Sequence, residues 1–424
     1  MRIRLFLRYP ICKVQISKGD SFILLNNPYV RTIVLSRVLL NLGIWVRNFA
    51  ILLYVTDLTD NHPMYVSLIS VAEFAPIFLF AFIGGTFADR WRPKRTMVSS
   101  DALSAISVFL VLITVHNGSW QALLVLTFFS AVLSQFSQPS AMKLFKQHVP
   151  AEQLQSVMAM FQSMVAFFTV IGPIAGAFVY QTFGIEVSLV ATGALFLGSG
   201  LILTLLPRDM QKETQSKQQN LKQELIEGLR YVWNNHTLRT LAATFAAAGL
   251  AAGLIQPLAI FVTIENLGRD KSFLQWLLTV NGAAMLVGGG FVMAFAKKIP
   301  PQTLLALGLS VSAVGTLGIG WSTSVIFTML LLVINGFFYP TIHIGINTLI
   351  LNNTEGPYIG RVGGALTPIY MGMMVLGMSI GGLLKDQLSL FVVYAASTLL
   401  FLTGSALLLP LFKKRKSTAG VLEQ

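Results

Sequence analysis

Twelve apolar stretches, each long enough to cross a bilayer, occupy almost the whole chain. A hydrocarbon core about 30 Å thick is spanned by about 20 apolar residues in a helix. Hydrophobic residues make up 54% of the chain and charged residues 11%, whereas soluble domains carry about 25% charged residues. Because lipid offers no partner for backbone polar groups, such continuous runs predict helices rather than a barrel of short strands. The sequence therefore predicts an all-α membrane protein.

The hydropathy pattern places twelve transmembrane spans along the chain. They are residues 31–56, 63–88, 97–116, 120–142, 154–180, 185–206, 238–264, 272–296, 302–321, 324–350, 362–384 and 388–412.

The basic residues predict how the spans are oriented. Of the 30 Lys and Arg residues, 25 lie in the tails and loops on the side of the N-terminus, and three lie on the other side. The positive-inside rule therefore predicts that both termini are cytoplasmic. We expect the protein to reside in a cell membrane, specifically a bacterial plasma membrane. Anionic lipid accounts for the net charge of +13 without nucleic acid. The KKRK run at 413–416 favours a topology anchor over a lipid-specific site.

A polar segment divides the spans into two sets of six. The predicted division is a cytoplasmic tail at 1–26, a six-helix bundle at 27–206, a cytoplasmic linker at 207–237, a second six-helix bundle at 238–412 and a basic tail at 413–424. Repeated, pseudo-symmetric halves are typical of transporters, because two similar bundles can rock around a central site. The alternative is that glycine and hydropathy patterns are common to all polytopic proteins.

Glycines recur at a similar offset in the two halves. Gly172 and Gly176 of span 5 correspond to Gly377 and Gly381 of span 11, and glycines 84–85 correspond to those at 288–290.

The linker contains an amphipathic pattern. Its apolar residues fall at three- and four-residue spacing and are Leu221, Leu225, Ile226, Leu229, Val232 and Trp233. This spacing predicts a helix that lies along the inner membrane face or under the bundle.

The segment GGTFADRWRPKR, at 84–95, is the most specific motif. A glycine at a helix crossing allows close approach of another backbone. Four residues after Gly85, the acid Asp89 is placed to face the positive N-terminus of a neighbouring helix. The cations that follow are suited to latching the loop to acids or lipid, and they are Arg90, Arg92, Lys94 and Arg95. A plain positive-inside loop is the alternative.

This motif resembles the loop between helices 2 and 3 of the major facilitator superfamily. Within that superfamily, the chain resembles the drug:proton antiporter branch that includes macrolide efflux proteins and the enterobactin exporter. The resemblance covers about residues 27–412 and also includes EFAP at 73–76, a QPS turn at 138–140 that ends span 4, VPAEQL at 149–154 and EGLRYV at 227–232. It implies two pseudo-symmetric six-helix bundles, the major facilitator fold. The chain departs from the branch at Ile44, where an acid often follows the helix-1 glycine.

Span 5 holds Gly172, Pro173 and Gly176, which resemble the antiporter motif of the superfamily. Proline frees a backbone carbonyl and bends the helix, and the glycines permit close packing. Phe168 stands where the motif has an upstream glycine. The resemblance implies export, although a kinked packing helix is compatible with either direction.

Charges within the spans are the strongest functional indicators. Arg47 and Glu73 lie at matching depth, and we consider both a buried ion pair and a carboxylate that takes up and releases a proton. Arg37 and Asp101 lie nearer the inner face and are expected to stabilise an inner gate. His343 in span 10 is either a proton carrier or a hydrogen-bonded packing residue.

These features predict a secondary active transporter that exports a hydrophobic or amphipathic small molecule, such as a drug, macrolide or siderophore, by proton-coupled alternating access. The expected partners are that substrate, protons and the bilayer, and we expect a monomer. An importer or lipid flippase on the same fold remains open, as does a non-transporting sensor or a channel. The sequence contains no P-loop, no HExxH motif and no nucleophile with catalytic partners, so we do not expect an enzyme. Cys12 is the only cysteine, so we do not expect a cysteine metal cluster. We expect no cofactor.

Overall fold

The computed structural model describes residues 27–116, 119–207, 221–295 and 298–412, excluding the side chains of residues 81–90, 221, 222, 294 and 357. Within these ranges every regular element is helical. Three predicted segments lie outside the described ranges: the tails at 1–26 and 413–424 and the linker residues 208–220. The predicted anchor at 413–416 is in the second of these tails. We call the face at which the first helix begins the inner face, following the predicted orientation.

The helices of the N-terminal half are α1 (Pro28–Leu58), α2 (Pro63–Arg90), α3 (Pro93–His116), α4 (Ala122–His148) and α5 (Ala151–Thr204). The linker forms α6 (Leu221–Asn234). The C-terminal half contains α7 (His236–Ile255), α8 (Leu274–Phe295), α9 (Pro301–Trp321), α10 (Val325–Asn352), α11 (Ile359–Gln387) and α12 (Leu390–Ala406). Short helical turns extend α7 as far as Asn266.

Eleven described helical segments are long and apolar enough to cross a membrane. One of them, α5, has 54 residues and carries two spans, because Gly184 interrupts it with φ 75° and ψ −173°. This left-handed conformation favours glycine. The predicted twelve-helix fold is therefore confirmed, with spans 5 and 6 joined through one glycine.

The predicted end of span 4 is wrong. We expected the helix to end at 142, after a turn at Pro139, but α4 runs through Pro139 to His148. Prolines are tolerated inside membrane helices because neighbouring groups satisfy the freed carbonyls. The turn comes instead at Val149, whose backbone is extended just before Pro150.

The first helix of each half is attached to the fourth helix of that half in the same way. Asn27 caps α1 by accepting from backbone N–H groups, and its Nδ2 donates to the His148 carbonyl at 2.9 Å. Asn235 caps α7 likewise and donates to the Asn353 carbonyl at 3.3 Å. The two caps are 208 residues apart, which supports the predicted repeat.

The two halves share a core at the outer face and have separate cores at the inner face. One apolar cluster joins Phe49 and Leu53 of α1 to Leu254 and Phe261 of the C-terminal half. At the inner face, one cluster is built from the N-terminal half alone and another from α6 and the C-terminal half. Helix α2 packs along α11 and α5 along α8. Among the described residues, the apolar core that the halves share therefore lies at the outer face.

The linker helix α6 packs against the C-terminal half. Glu227 forms a 3.2 Å ion pair with Arg361, and the rings of Tyr231 and Tyr358 stack at 4.6 Å. The residues of the predicted apolar stripe do not all face the bundle. Val232 is 1% exposed and packs against the bundle, whereas Trp233 is 70% exposed.

Candidate functional site

A chain of three polar side chains lies between α1 and α2. Arg47, only 3% exposed, donates to Asn48 Oδ1 through Nε at 3.1 Å and Nη2 at 2.9 Å. Asn48 Nδ2 donates to Glu73 Oε1 at 2.7 Å. The structure brings Arg47 and Glu73 close together, as their matching depth predicted. They do not form the direct ion pair that we considered, because the Asn48 amide lies between them. Sequence reasoning missed Asn48, whose position beside Arg47 was the available signal.

A second network joins Arg37 and Asp101 nearer the inner face. Arg37 Nη2 donates to Ser137 Oγ at 2.8 Å, and Ser137 donates to Asp101 Oδ1 at 3.4 Å. Ser199 donates to the other carboxylate oxygen at 2.6 Å, and Ser36 lies 2.8 Å from Ser199. The side chains belong to α1, α3, α4 and the second span of α5, so they hold four spans of the N-terminal half together. The serines were not predicted, because short neutral side chains leave no periodic signal in an apolar span.

A cavity of about 150 Å³ connects the two networks. Arg47 and Glu73 line it, as do Asp101 and Ser137. Its remaining polar lining consists of Ser100, Ser104, Ser130 and Ser134. All of its lining residues lie in the N-terminal half, on α1 to α4 and the second span of α5. The cavity wall is mainly apolar, and its serine hydroxyls and charged groups are the hydrogen-bond partners that water molecules in it would need.

The antiporter-like motif of span 5 positions the part of α1 that carries Arg47. A Cβ on Gly172 would lie 2.3 Å from the Trp45 ring, and a Cβ on Gly176 would lie 2.6 Å from the Trp45 carbonyl oxygen. Only glycine permits this approach of α5 to α1. Pro173 lies between the glycines, inside α5.

The loop between α2 and α3 is described in part. Gly85, Asp89 and Arg90 belong to the segment whose side chains lie outside the description, so their latch role stays a prediction. Lys94 Nζ donates to the Thr204 carbonyl at 2.7 Å and also to that of Leu206, and its predicted latch to acids or lipid stays a prediction. A cation at a helix C-terminus is stabilised by the last carbonyls. Arg92 and Arg95 are exposed beside it.

His343 lies on α10, in the other half from the buried charges. Its side chain is exposed, and its ring meets that of Tyr339 edge-on at 5.0 Å. The structure does not bring it into the cavity beside Glu73.

One ion pair and one contact between a histidine and an acid join the halves at the outer face. Asp57, at the end of α1, pairs with Lys271 and accepts from Tyr180 at 3.2 Å. His62 lies 3.8 Å from Asp386, at the end of α11. These contacts were not predicted, because they depend on how the two bundles face each other.

In the described part of the chain, no group of three or more His, Cys, Asp or Glu residues is arranged to hold a metal ion. The fold and the site together define a multi-pass membrane transporter built from two six-helix halves. The sequence profile described as Major Facilitator Superfamily matches residues 33–268 and 241–423. The chain therefore belongs to the major facilitator superfamily, a class of transporters rather than of enzymes, whose members move small molecules.

Similar proteins include efflux pumps. The chain is 24% identical over 353 residues to the multidrug efflux pump Tap of Mycobacterium tuberculosis, covering 78% of this chain and 81% of that protein. It is 22% identical over 354 residues to macrolide efflux protein A of Streptococcus pyogenes, covering 81% and 86%. The crystal structure of the nucleoside transporter NupG superposes with a TM-score of 0.71 at 13% identity, covering 91% of this chain and 99% of that one. That likeness shows the fold alone.

Proposed function

We propose that this protein is a proton-coupled exporter of hydrophobic or amphipathic small molecules. The observation that carries the proposal is the Arg47–Asn48–Glu73 chain beside a cavity within the N-terminal half. Ionisable groups within membrane helices are costly and mark transport pathways. The similarity to a multidrug efflux pump and to a macrolide efflux protein supports export and this substrate class.

Alternating access follows from how the halves meet. In this conformation the outer face is closed by the shared apolar core and by the Asp57–Lys271 pair. The described inner cores are separate, which is compatible with substrate entry between the halves from the inner face. Rocking of one half against the other then opens the outer face. Because α5 packs on α8 of the other half and, through its glycines, on α1, a shift of α5 displaces the turn of α1 that carries Arg47.

The coupling resides in the protonation of Glu73. When Glu73 is ionised, it accepts from Asn48, which in turn holds Arg47. A proton on the carboxyl removes the charge that balances Arg47, so the chain loosens and the arginine reorients. A proton from outside thereby favours one conformation, and its release inside restores the other.

We propose that the protein acts as a monomer in the plasma membrane with both termini cytoplasmic, and that its domains are divided as the sequence predicts. Within this scheme, Arg37 and Asp101 belong to the inner part of the N-terminal half. The loop motif from Gly85 to Arg95 acts as an inner latch. His343 is assigned to packing.

The test uses purified protein in proteoliposomes with a proton gradient. Ethidium, a lipophilic cation, and erythromycin, a macrolide, serve as probes, and pyranine reports proton movement. Wild type should concentrate a probe against its gradient, and Glu73→Gln should not, whereas Glu186→Gln, an exposed acid paired with His116, should behave as wild type. Accumulation in the opposite direction would indicate an importer, and dissipation of both gradients would indicate a channel. Failure of wild type to move either probe contradicts the proposed function.

A further inference from the structure

We propose that Asp101 is a second proton carrier, which exchanges a proton with Glu73 through the cavity in the N-terminal half, whose lining includes five serines. This inference rests on the proposed function and adds to it a route for the proton. It separates that route from the substrate path between the halves.

The two carboxylates lie on opposite sides of the membrane midplane. Glu73 is ten residues from the outer end of α2, which has 28 residues, and Asp101 is eight residues from the inner end of α3, which has 24. At 1.5 Å per residue, each lies about 5 Å from the midplane, so they are about 10 Å apart along the membrane normal. Direct transfer over that distance is excluded, and an intervening chain of water is required.

The cavity supplies that chain. Both acids line it together with five serine side chains, including Ser104 and Ser137, and hydroxyl groups both donate to and accept from water. Arg47 Nη1 is buried and makes no hydrogen bond to the described residues, and Arg47 lines the cavity. A guanidinium N–H in this position requires a water partner.

The charges of the four groups balance. Arg37 and Arg47 face Asp101 and Glu73, so the region is neutral when both acids are ionised. In the proposed step, protonated Glu73 gives its proton to the water chain, and the chain gives a proton to ionised Asp101. Glu73 then becomes the carboxylate that accepts from Asn48, and the region carries one proton before and after. Asp101 then releases the proton toward the inner face.

The decisive variant is Asp101→Asn. We expect proton-driven accumulation to fall about a hundredfold, as for loss of a positioned proton-transfer group, while downhill exchange of ethidium or erythromycin across the vesicle stays within the wild-type range. An acid that only balances Arg37 would also give this result. The double variant Arg37→Gln with Asp101→Asn separates the two roles, because it restores neutrality without restoring a carrier.

A carrier role predicts that the double variant stays uncoupled, and recovery of proton-driven accumulation in it would overturn the proposal. A second pair of variants leaves both acids in place. Ser104→Leu fills the cavity, and Ser107→Leu, one turn along α3 and outside the cavity lining, is its matched control. Slower proton movement in Ser104→Leu alone supports the water route, and equal rates in the two variants overturn it.

The outcomes distinguish this inference from the proposed function. If Glu73→Gln is uncoupled and Asp101→Asn couples as wild type, the relay is wrong and the proposed function stands. If Glu73→Gln also couples as wild type, the relay and the assignment of coupling to Glu73 both fail, and the exporter function stands. Should Asp101→Asn not fold, the serine pair decides the route.

Discussion

The two halves of the protein share a frame but differ in chemistry. Each half begins with an asparagine cap attached to the end of its fourth helix. In each half a glycine pair lies against the first helix: Gly172 contacts Trp45, and 205 residues later Gly377 contacts Leu250. The buried polar residues differ. Those of the N-terminal half include Arg37, Arg47 and Asp101, whereas those in the described part of the C-terminal half are all Ser or Thr.

This difference assigns separate tasks to two similar bundles. Burial of a charge costs several kcal/mol unless it is paired and hydrogen-bonded. Charged residues buried in membrane helices are therefore indicators of function. The N-terminal half therefore carries the proton chemistry in our proposal. In the same proposal, the C-terminal half, packed through glycines and hydroxyl groups, is the body against which the N-terminal half moves.

The largest expected effect tests the asymmetry directly. Glu73→Gln should lower proton-driven accumulation about a hundredfold, because the group that carries the proton is lost. Asn281 lies 208 residues later on α8, at the offset of the two asparagine caps. Asn281→Ala should leave the ratio of protons to substrate unchanged, as measured by pyranine and probe flux. A changed ratio in Asn281→Ala would show that both halves couple.

The next effect concerns the bridging amide. Asn48→Leu should destabilise the protein by about 1–3 kcal/mol, because Arg47 and Glu73 lose a shared hydrogen-bond partner. Thermal unfolding in detergent measures the loss. Asn41→Leu, on the same helix, removes only a 2.8 Å bond to the Arg37 carbonyl and should cost less. Equal losses in the two variants would argue against a special role of Asn48.

A symmetric pair of glycine substitutions sharpens the comparison. In Gly176→Ala the new Cβ meets the Trp45 carbonyl, and in Gly381→Ala it meets the Leu254 carbonyl. Each should cost about 1–3 kcal/mol from overpacking. Only Gly176→Ala should also reduce coupled transport per folded molecule, because it displaces the turn of α1 that carries Arg47. An equal loss of coupling in Gly381→Ala would contradict this.

The smallest effect is expected at the outer face, where the halves meet. Asp57→Asn and Lys271→Gln each remove a partly exposed ion pair, which is worth at most about 1 kcal/mol. Each should shift the population toward outer opening, read as longer spin-label distances across that face. The double variant should add little to either single one. Additive shifts would show that the two residues act independently.

The sequence was sufficient to predict the spans, the repeat and the depth of the buried charges, because these depend on hydropathy and on rise per residue. It was insufficient for contacts that depend on direction around a helix. Arg47 and Glu73 were matched in depth, yet Asn48 lies between them. The binding of Lys94 to the carbonyls at the end of α5 was not predicted, since it depends on which helix ends beside it. Pro139 was taken for a helix end, and its membrane setting allows the helix to continue.

The packing of α6 determines where the polypeptide can be divided. Gly228 lies directly against the backbone of Arg361, and Tyr231 stacks on Tyr358, so α6 is structurally part of the second bundle even though it precedes α7. For co-expression as two fragments, the second fragment should therefore begin before Leu221. A cut placed after Asn234 would expose the surface of α11 that α6 covers.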